Sequence, residues 1–122
     1  MSENATNKPV YDLEERNFIF AKDVRIFIKT LPYSIANTED SKQLVKSSGS
    51  VGANYREANE SLSKKDFVLR VKISRKEAKE SSFWLRLILE TNELKNADEA
   101  KRLVNESIEL KKILSSIIEK SK

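Results

Sequence analysis

The 122-residue chain contains no cysteine and no histidine. Without cysteine it has neither a disulfide framework nor a thiolate metal site. Without histidine it lacks the usual general base, the commonest metal ligand and every histidine-dependent catalytic triad. Two glycines and two prolines are too few for the many turns of a sandwich or barrel, so the composition favours an all-α protein.

Charge is plentiful, since charged residues make up 34% of the chain and the hydrophobic set 39%. The length suits one domain with a real core. The segment Met1–Pro9 is polar and does not resemble a secretory signal. No apolar run approaches the length of a membrane span. We therefore expect a soluble, cytoplasmic protein with no membrane partner.

Apolar residues recur at spacings of three, four and seven along four segments, which is the period of an amphipathic helix. Each segment opens on a residue that can cap a helix, namely Asp12 (with Glu15 at capping-box spacing), Asn37 or Thr38, Ser63 (with Asp66) and Asn96 (with Glu99). The predicted helices cover residues 12–31, 38–61, 64–92 and 97–120, after a loose tail over residues 1–10. Short connections favour an antiparallel, up-down-up-down four-helix bundle.

Two glycines, Gly49 and Gly52, fall inside the second predicted helix. Each costs up to about 1 kcal/mol relative to alanine in a helix interior. Three interpretations stay open: close packing inside the bundle, a flat seam against a second subunit, or a break at Ser48–Gly49. The apolar pattern keeps its phase across this point, which favours packing over a break.

The net charge of +4 is concentrated in the third predicted helix, because residues 62–92 hold eight basic and four acidic residues. On a helical wheel seven of these basic residues fall within about 120°. They are Lys64, Lys65, Lys72, Arg75, Lys76, Lys79 and Arg86. Such a row attracts phosphates and releases their counterions. The competing interpretation is an ordinary solvated face with ion pairs to Glu77 and Glu80.

We expect nucleic acid to bind this row. Phe83 interrupts it and is placed to stack on an unpaired base. The predicted contacts are Lys65, Lys72, Lys76, Lys79, Phe83 and Arg86. Arg75 is kept apart as the expected ion-pair partner of Glu80 or of a neighbouring subunit.

Catalysis finds little support in the sequence. Glu57, Glu77 and Glu80 are the best candidates for paired carboxylates, but metal sites in helical bundles use Glu-x-x-His, and histidine is absent. Ser47 and Ser48 have no neighbouring base and no glycine elbow. We expect no catalytic residue, no metal and no cofactor, and therefore not an enzyme.

Several motifs occur together in a characteristic order. They are DLEER at residues 12–16, QLVKSSGSVGANY at residues 43–55, KDF at residues 65–67, RKEAKE at residues 75–80 and Trp84-Leu85. In this order and spacing the chain resembles the 23S rRNA intervening-sequence proteins, a family of four-helix bundles. The resemblance covers roughly residues 11–90, and the last helix fits by length and pattern.

The resemblance implies an assembly and a partner class. Members of that family form rings of five, and their reading frames lie in insertions within bacterial 23S rRNA genes or free in bacterial genomes. The family is similar to the accessory protein of diversity-generating retroelements, a basic pentamer that partners a reverse transcriptase and contacts nucleic acid. It has no established catalytic residues. We thus expect a non-enzymatic homopentamer that binds RNA or other nucleic acid. The alternative is a protein-interaction scaffold for an acidic partner, or an accessory subunit, with no direct nucleic-acid contact.

Overall fold

Four α-helices make up the computed structural model, which describes residues 12–122. They are α1 (Leu13–Ile28), α2 (Ile35–Asn59), α3 (Lys64–Thr91) and α4 (Ala97–Lys120). Each helix packs against the next in sequence, and α4 packs against α1. This ring of four neighbours confirms the predicted four-helix bundle. The predicted tail over residues 1–10 lies outside the described residues.

Helix starts follow the sequence signals at some ends and depart from them at others. Ser63 caps α3 as expected, because its Oγ accepts a hydrogen bond from the Asp66 amide at 3.1 Å. α2 begins three residues before the expected position, where the Ser34 Oγ accepts from the Asn37 amide at 3.0 Å. Asp12 and Asn96 occupy the N-cap positions of α1 and α4 but make no side-chain cap hydrogen bond, so the capping roles predicted for them are wrong.

α1 ends earlier than its apolar pattern suggests, at Ile28 rather than at residue 31. The Thr30 amide bonds to the Phe27 carbonyl at 2.9 Å and the Leu31 amide to the Ile28 carbonyl at 3.1 Å. These are bonds between residues three apart, typical of the tightened last turn of a helix. Pro32 follows directly and disfavours helical backbone at Leu31.

The core lies between the four helices and is filled by apolar side chains from all of them. The largest fully buried ones are Phe20, Phe27, Leu44, Leu85, Ile88, Leu103, Leu110 and Leu114. Buried serines join α2 to α3. Ser74 donates to the Val51 carbonyl at 2.7 Å, and Ser81 donates to Ser47 Oγ at 2.9 Å. Small side chains let the two backbones approach, and the hydrogen bonds satisfy the hydroxyls that this burial removes from water.

The contacts between α2 and α3 pair the start of one helix with the end of the other. Asn37, at the start of α2, exchanges side-chain hydrogen bonds with Asn92, just after α3. Asn54, towards the other end of α2, accepts from Arg70 of α3 at 3.1 Å. This register, with the short connections, favours the expected up-down-up-down path.

α2 continues without a break through Gly49 and Gly52, so the interpretation of a break there is excluded. A Cβ atom on Gly52 would lie 3.3 Å from the Asn17 Cβ of α1. One on Gly49 would lie 3.3 Å from an Arg25 guanidinium nitrogen. The contact at Gly52 supports close α1–α2 packing as the reason for that glycine. The Arg25 guanidinium is the end of an exposed, flexible side chain that can move, so the structure gives no comparable reason for Gly49.

Ion pairs join α1 to α4. The Arg16 guanidinium donates two hydrogen bonds to the Glu106 carboxylate, at 2.7 and 2.9 Å. This contact raises the pKa of the Arg16 guanidinium. Arg102 donates to Asp23 at 2.8 Å and to Glu99 at 2.7 Å. The hydrogen bond from Arg102 lowers the pKa of the Glu99 carboxyl. Two-pronged contacts of this kind fix the orientation of α1 beside α4.

Candidate nucleic-acid interface

The predicted basic row lies on the outer face of α3. Its inner face is buried against α2 and α4 through Val71, Ser74, Ala78, Ser81, Leu85 and Ile88. The opposite face carries Lys65, Lys72, Lys76 and Lys79, which are all exposed. We call these four lysines the basic ridge. From Lys65 to Arg86 the outer face extends over roughly 32 Å at 1.5 Å per residue.

Among the described residues, the lysines of the basic ridge have no carboxylate partner. Across residues 12–122, no ion pair shorter than 4.0 Å includes Lys65, Lys72, Lys76 or Lys79. Some lysines elsewhere in the described chain do form ion pairs with glutamate. Lys42 pairs with Glu39 at 3.3 Å on α2, and α4 and the residues after it hold two similar pairs. Within residues 12–122 the basic ridge is therefore a row of ammonium groups that make no close ion pair.

Arg86 differs from these lysines because it already has a carboxylate partner. Its guanidinium donates to Glu90, one helical turn away, at 3.1 and 3.3 Å. The pair is exposed and belongs to the weak class of surface ion pairs. Arg86 thus lies where it was predicted, at the end of the outer face, with much of its charge offset.

The predicted intrachain pair between Arg75 and Glu80 is wrong. No ion pair in residues 12–122 includes Arg75, which is partly buried. Residues five apart are about 140° apart around a helix, so the two side chains leave the axis in different directions. Glu80 instead accepts a hydrogen bond from the Trp84 indole nitrogen at 3.3 Å.

An aromatic pair lies beside the basic ridge. Phe83 is 55% exposed and contacts Trp84 edge to face, with ring centroids 4.9 Å apart and planes at 81°. The indole nitrogen of Trp84 also donates to Glu80, so the Trp84 ring is held in position against Phe83. Leu69 is also 55% exposed on the outer face, about 60° around the helix from Lys72, and lies outside the row of predicted contacts.

Acidic side chains border one flank of the outer face. Burial raises the pKa of the Glu77 carboxyl, and repulsion from Glu80 adds to that effect, while Lys76 and Lys46 oppose it. When they are ionised, the carboxylates of Glu77 and Glu80 make this flank unfavourable for a polyanion, so the positive surface of α3 ends on this side.

A concave surface lies between α1 and α2, away from the basic ridge. This groove measures about 550 Å³, and its lining includes Phe18, Arg25, Gly52, Arg56 and the buried Asn17. The side-chain nitrogen and oxygen of Asn17 have no hydrogen-bond partner in the described part of the chain. No cluster of three or more possible metal ligands occurs within residues 12–122, and none of the helices there is long and apolar enough to cross a membrane.

Residues 12–116 match the family model described as 23S rRNA-intervening sequence protein. The chain belongs to this family. The matched range includes the whole of α3, and with it the basic ridge, Phe83 and Arg86.

A solved relative supports the membership. A crystallised protein from Bacteroides thetaiotaomicron, described as a protein of unknown function from the S23 ribosomal protein family, is 32% identical to this chain. The two superpose with a TM-score of 0.75 over 86% of this chain and 96% of the other. A search of curated proteins finds no match. Neither the 23S rRNA-intervening sequence family description nor the crystallised relative carries a catalytic assignment.

Proposed function

We propose that this 23S rRNA-intervening sequence protein binds RNA, or another nucleic acid, through the basic ridge of α3. The observation that carries the proposal is the row of four exposed lysines without carboxylate partners among the described residues. Phosphates placed along this row neutralise the ammonium groups and release condensed counterions, which is the main source of sequence-independent affinity for nucleic acid. No catalytic step belongs to the proposal.

Assembly into a ring of five is the second part of the proposal, and it comes from the resemblance described above. It gains support from exposed apolar side chains on the outer face of α1, where Phe18 is 62% and Ile26 55% exposed. Five copies multiply a formal charge of +4 to about +20. Several weak phosphate contacts on one ring then act together through their high effective concentration. Since the proposed ligand is RNA, the proposed location is the cytoplasm.

A scaffold for an acidic protein is the competing function. The exposed Leu69 and Phe83 favour it, because protein interfaces combine apolar contacts with charge complementarity. A protein partner uses apolar burial that salt does not weaken, whereas phosphate contacts are lost steeply as salt rises.

Titration of the wild-type protein with RNA over a salt series tests the proposal. We expect binding at low salt, with log affinity falling linearly in log salt by about 0.7 for each phosphate contacted on a single strand. Four lysines of one protomer therefore give a slope near −3, and several protomers give a steeper one. The absence of binding at low salt, or an affinity that does not change with salt, would contradict RNA binding by this surface.

A further inference from the structure

The outer face of α3 combines a row of cations, which the phosphates of any nucleic acid can contact, with an aromatic ring, which a duplex-binding surface does not need. The ring is that of Phe83, held in the row by its edge-to-face contact with Trp84. Lys76 and Lys79 precede Phe83 by seven and four residues, so all three side chains leave the same side of the helix. A strand whose phosphates follow the lysines would bring a base next to the ring.

An RNA duplex offers this face little beyond its phosphates. α3 packs against α2 and α4, so only its outer face is free to meet such a surface. The major groove of an RNA duplex is deep and narrow, and side chains on that face do not reach its base edges. Stacked bases in a duplex also offer no open face to Phe83.

We propose that the basic ridge prefers single-stranded RNA, and that Phe83 is the platform on which one unpaired base stacks. This inference rests on the function proposed above and adds the class of RNA. Lys72, Lys76 and Lys79 hold successive phosphates, while the acidic flank at Glu77 and Glu80 keeps the strand on the ridge. The Trp84 contact holds the Phe83 ring in place before RNA arrives, which lowers the ordering cost of stacking.

The chain supplies a direct spectroscopic reporter of this stacking. Trp84 is the only tryptophan, and its ring lies 4.9 Å from that of Phe83. A base that stacks on Phe83 changes the surroundings of the indole. We expect the tryptophan fluorescence to change with added oligouridylate and to saturate at the concentration at which the binding curve saturates.

The test compares a short oligouridylate with an RNA duplex that has the same number of phosphates, at one salt concentration. Phe83→Ala should weaken oligouridylate binding by about 5- to 150-fold, the range expected for the loss of one base–aromatic stack. Phe83→Trp should keep the affinity. Leu69→Ala is the matched control, because Leu69 is equally exposed on the same face, and it should change affinity little. The wild-type protein should bind the duplex more weakly than the oligouridylate, and Phe83→Ala should not change the affinity for the duplex.

Each contrary outcome has a distinct meaning. If both RNAs bind equally and Phe83→Ala changes neither affinity, the single-strand preference is wrong while RNA binding stands. If neither RNA binds at low salt, the proposed function itself fails. If Phe83→Ala changes the mass of the assembly measured by light scattering, a second copy of the chain covers Phe83, and the stacking role is overturned.

Discussion

Replacing Lys72, Lys76 and Lys79 together by glutamine is expected to weaken binding of single-stranded RNA by about 100-fold at 0.1 M salt, for the contacts of one protomer. Each phosphate contact contributes about 0.7 to the slope of log affinity against log salt. Loss of three contacts therefore lowers the steepness by about 2 and the affinity at 0.1 M salt by about two logarithmic units. A fluorescence anisotropy titration over a salt series measures both quantities.

The fold should survive this change, because the three lysines are exposed and glutamine is nearly as good a helix former as lysine. The matched control replaces Lys29, Lys95 and Lys101, which are also exposed, belong to no ion pair in residues 12–122 and do not form a row. It removes the same formal charge from elsewhere on the molecule. Equal losses of affinity in the two variants would show that only net charge matters and would refute a localised site.

Asn17→Leu is expected to stabilise the protein by about 1–3 kcal/mol, the cost of leaving a buried polar group unsatisfied. Asn17 is fully buried, and neither its Nδ2 nor its Oδ1 has a hydrogen-bond partner among the described residues. Its neighbours along the buried face of α1 are Leu13 and Phe20, so an apolar side chain suits the position. Urea unfolding followed by circular dichroism gives the free energy of unfolding of both proteins.

Leucine is also the better helix former, which contributes a few tenths of a kcal/mol at any helical position. Asn105→Leu separates that effect, because Asn105 is exposed in α4 and gains only the propensity. We expect the gain at residue 17 to exceed the gain at residue 105. A loss of stability in Asn17→Leu would contradict the view that the buried amide is a net cost to the fold.

Helices were predictable from this sequence because their signals are strong and local. The apolar period of α3 and the cap at Ser63 needed no tertiary information. The errors lie where tertiary or turn chemistry decides. Asp12 has the spacing of a capping box, yet its side chain does not bond to the helix start. The apolar pattern of α1 does not reveal that Asn17 is buried, because its seven-residue step from Leu13 to Phe20 passes over the polar residue between them.

The candidate site was also predictable only in part. Exposure of the lysines followed from the wheel, since a helix packed on two neighbours has only one outer face. The pairing of individual charges did not follow. Arg86 and Glu90, four residues apart, form a pair whose spacing was visible in the sequence, whereas the expected Arg75–Glu80 pair fails because its members point in different directions around the helix. The edge-to-face contact of Phe83 with Trp84 depends on rotamers, which the sequence alone does not specify.

Lysine footprinting tests most directly whether the basic ridge binds RNA. The protein is acetylated with and without saturating single-stranded RNA, and the modification rate of each lysine is measured by mass spectrometry. We predict that Lys65, Lys72, Lys76 and Lys79 become several-fold slower with RNA, because phosphate contacts cover and hold their ammonium groups, while Lys29, Lys95 and Lys101 keep their rates. Unchanged rates on α3, or ridge lysines that are already unreactive without RNA because other chains cover them, would contradict the account.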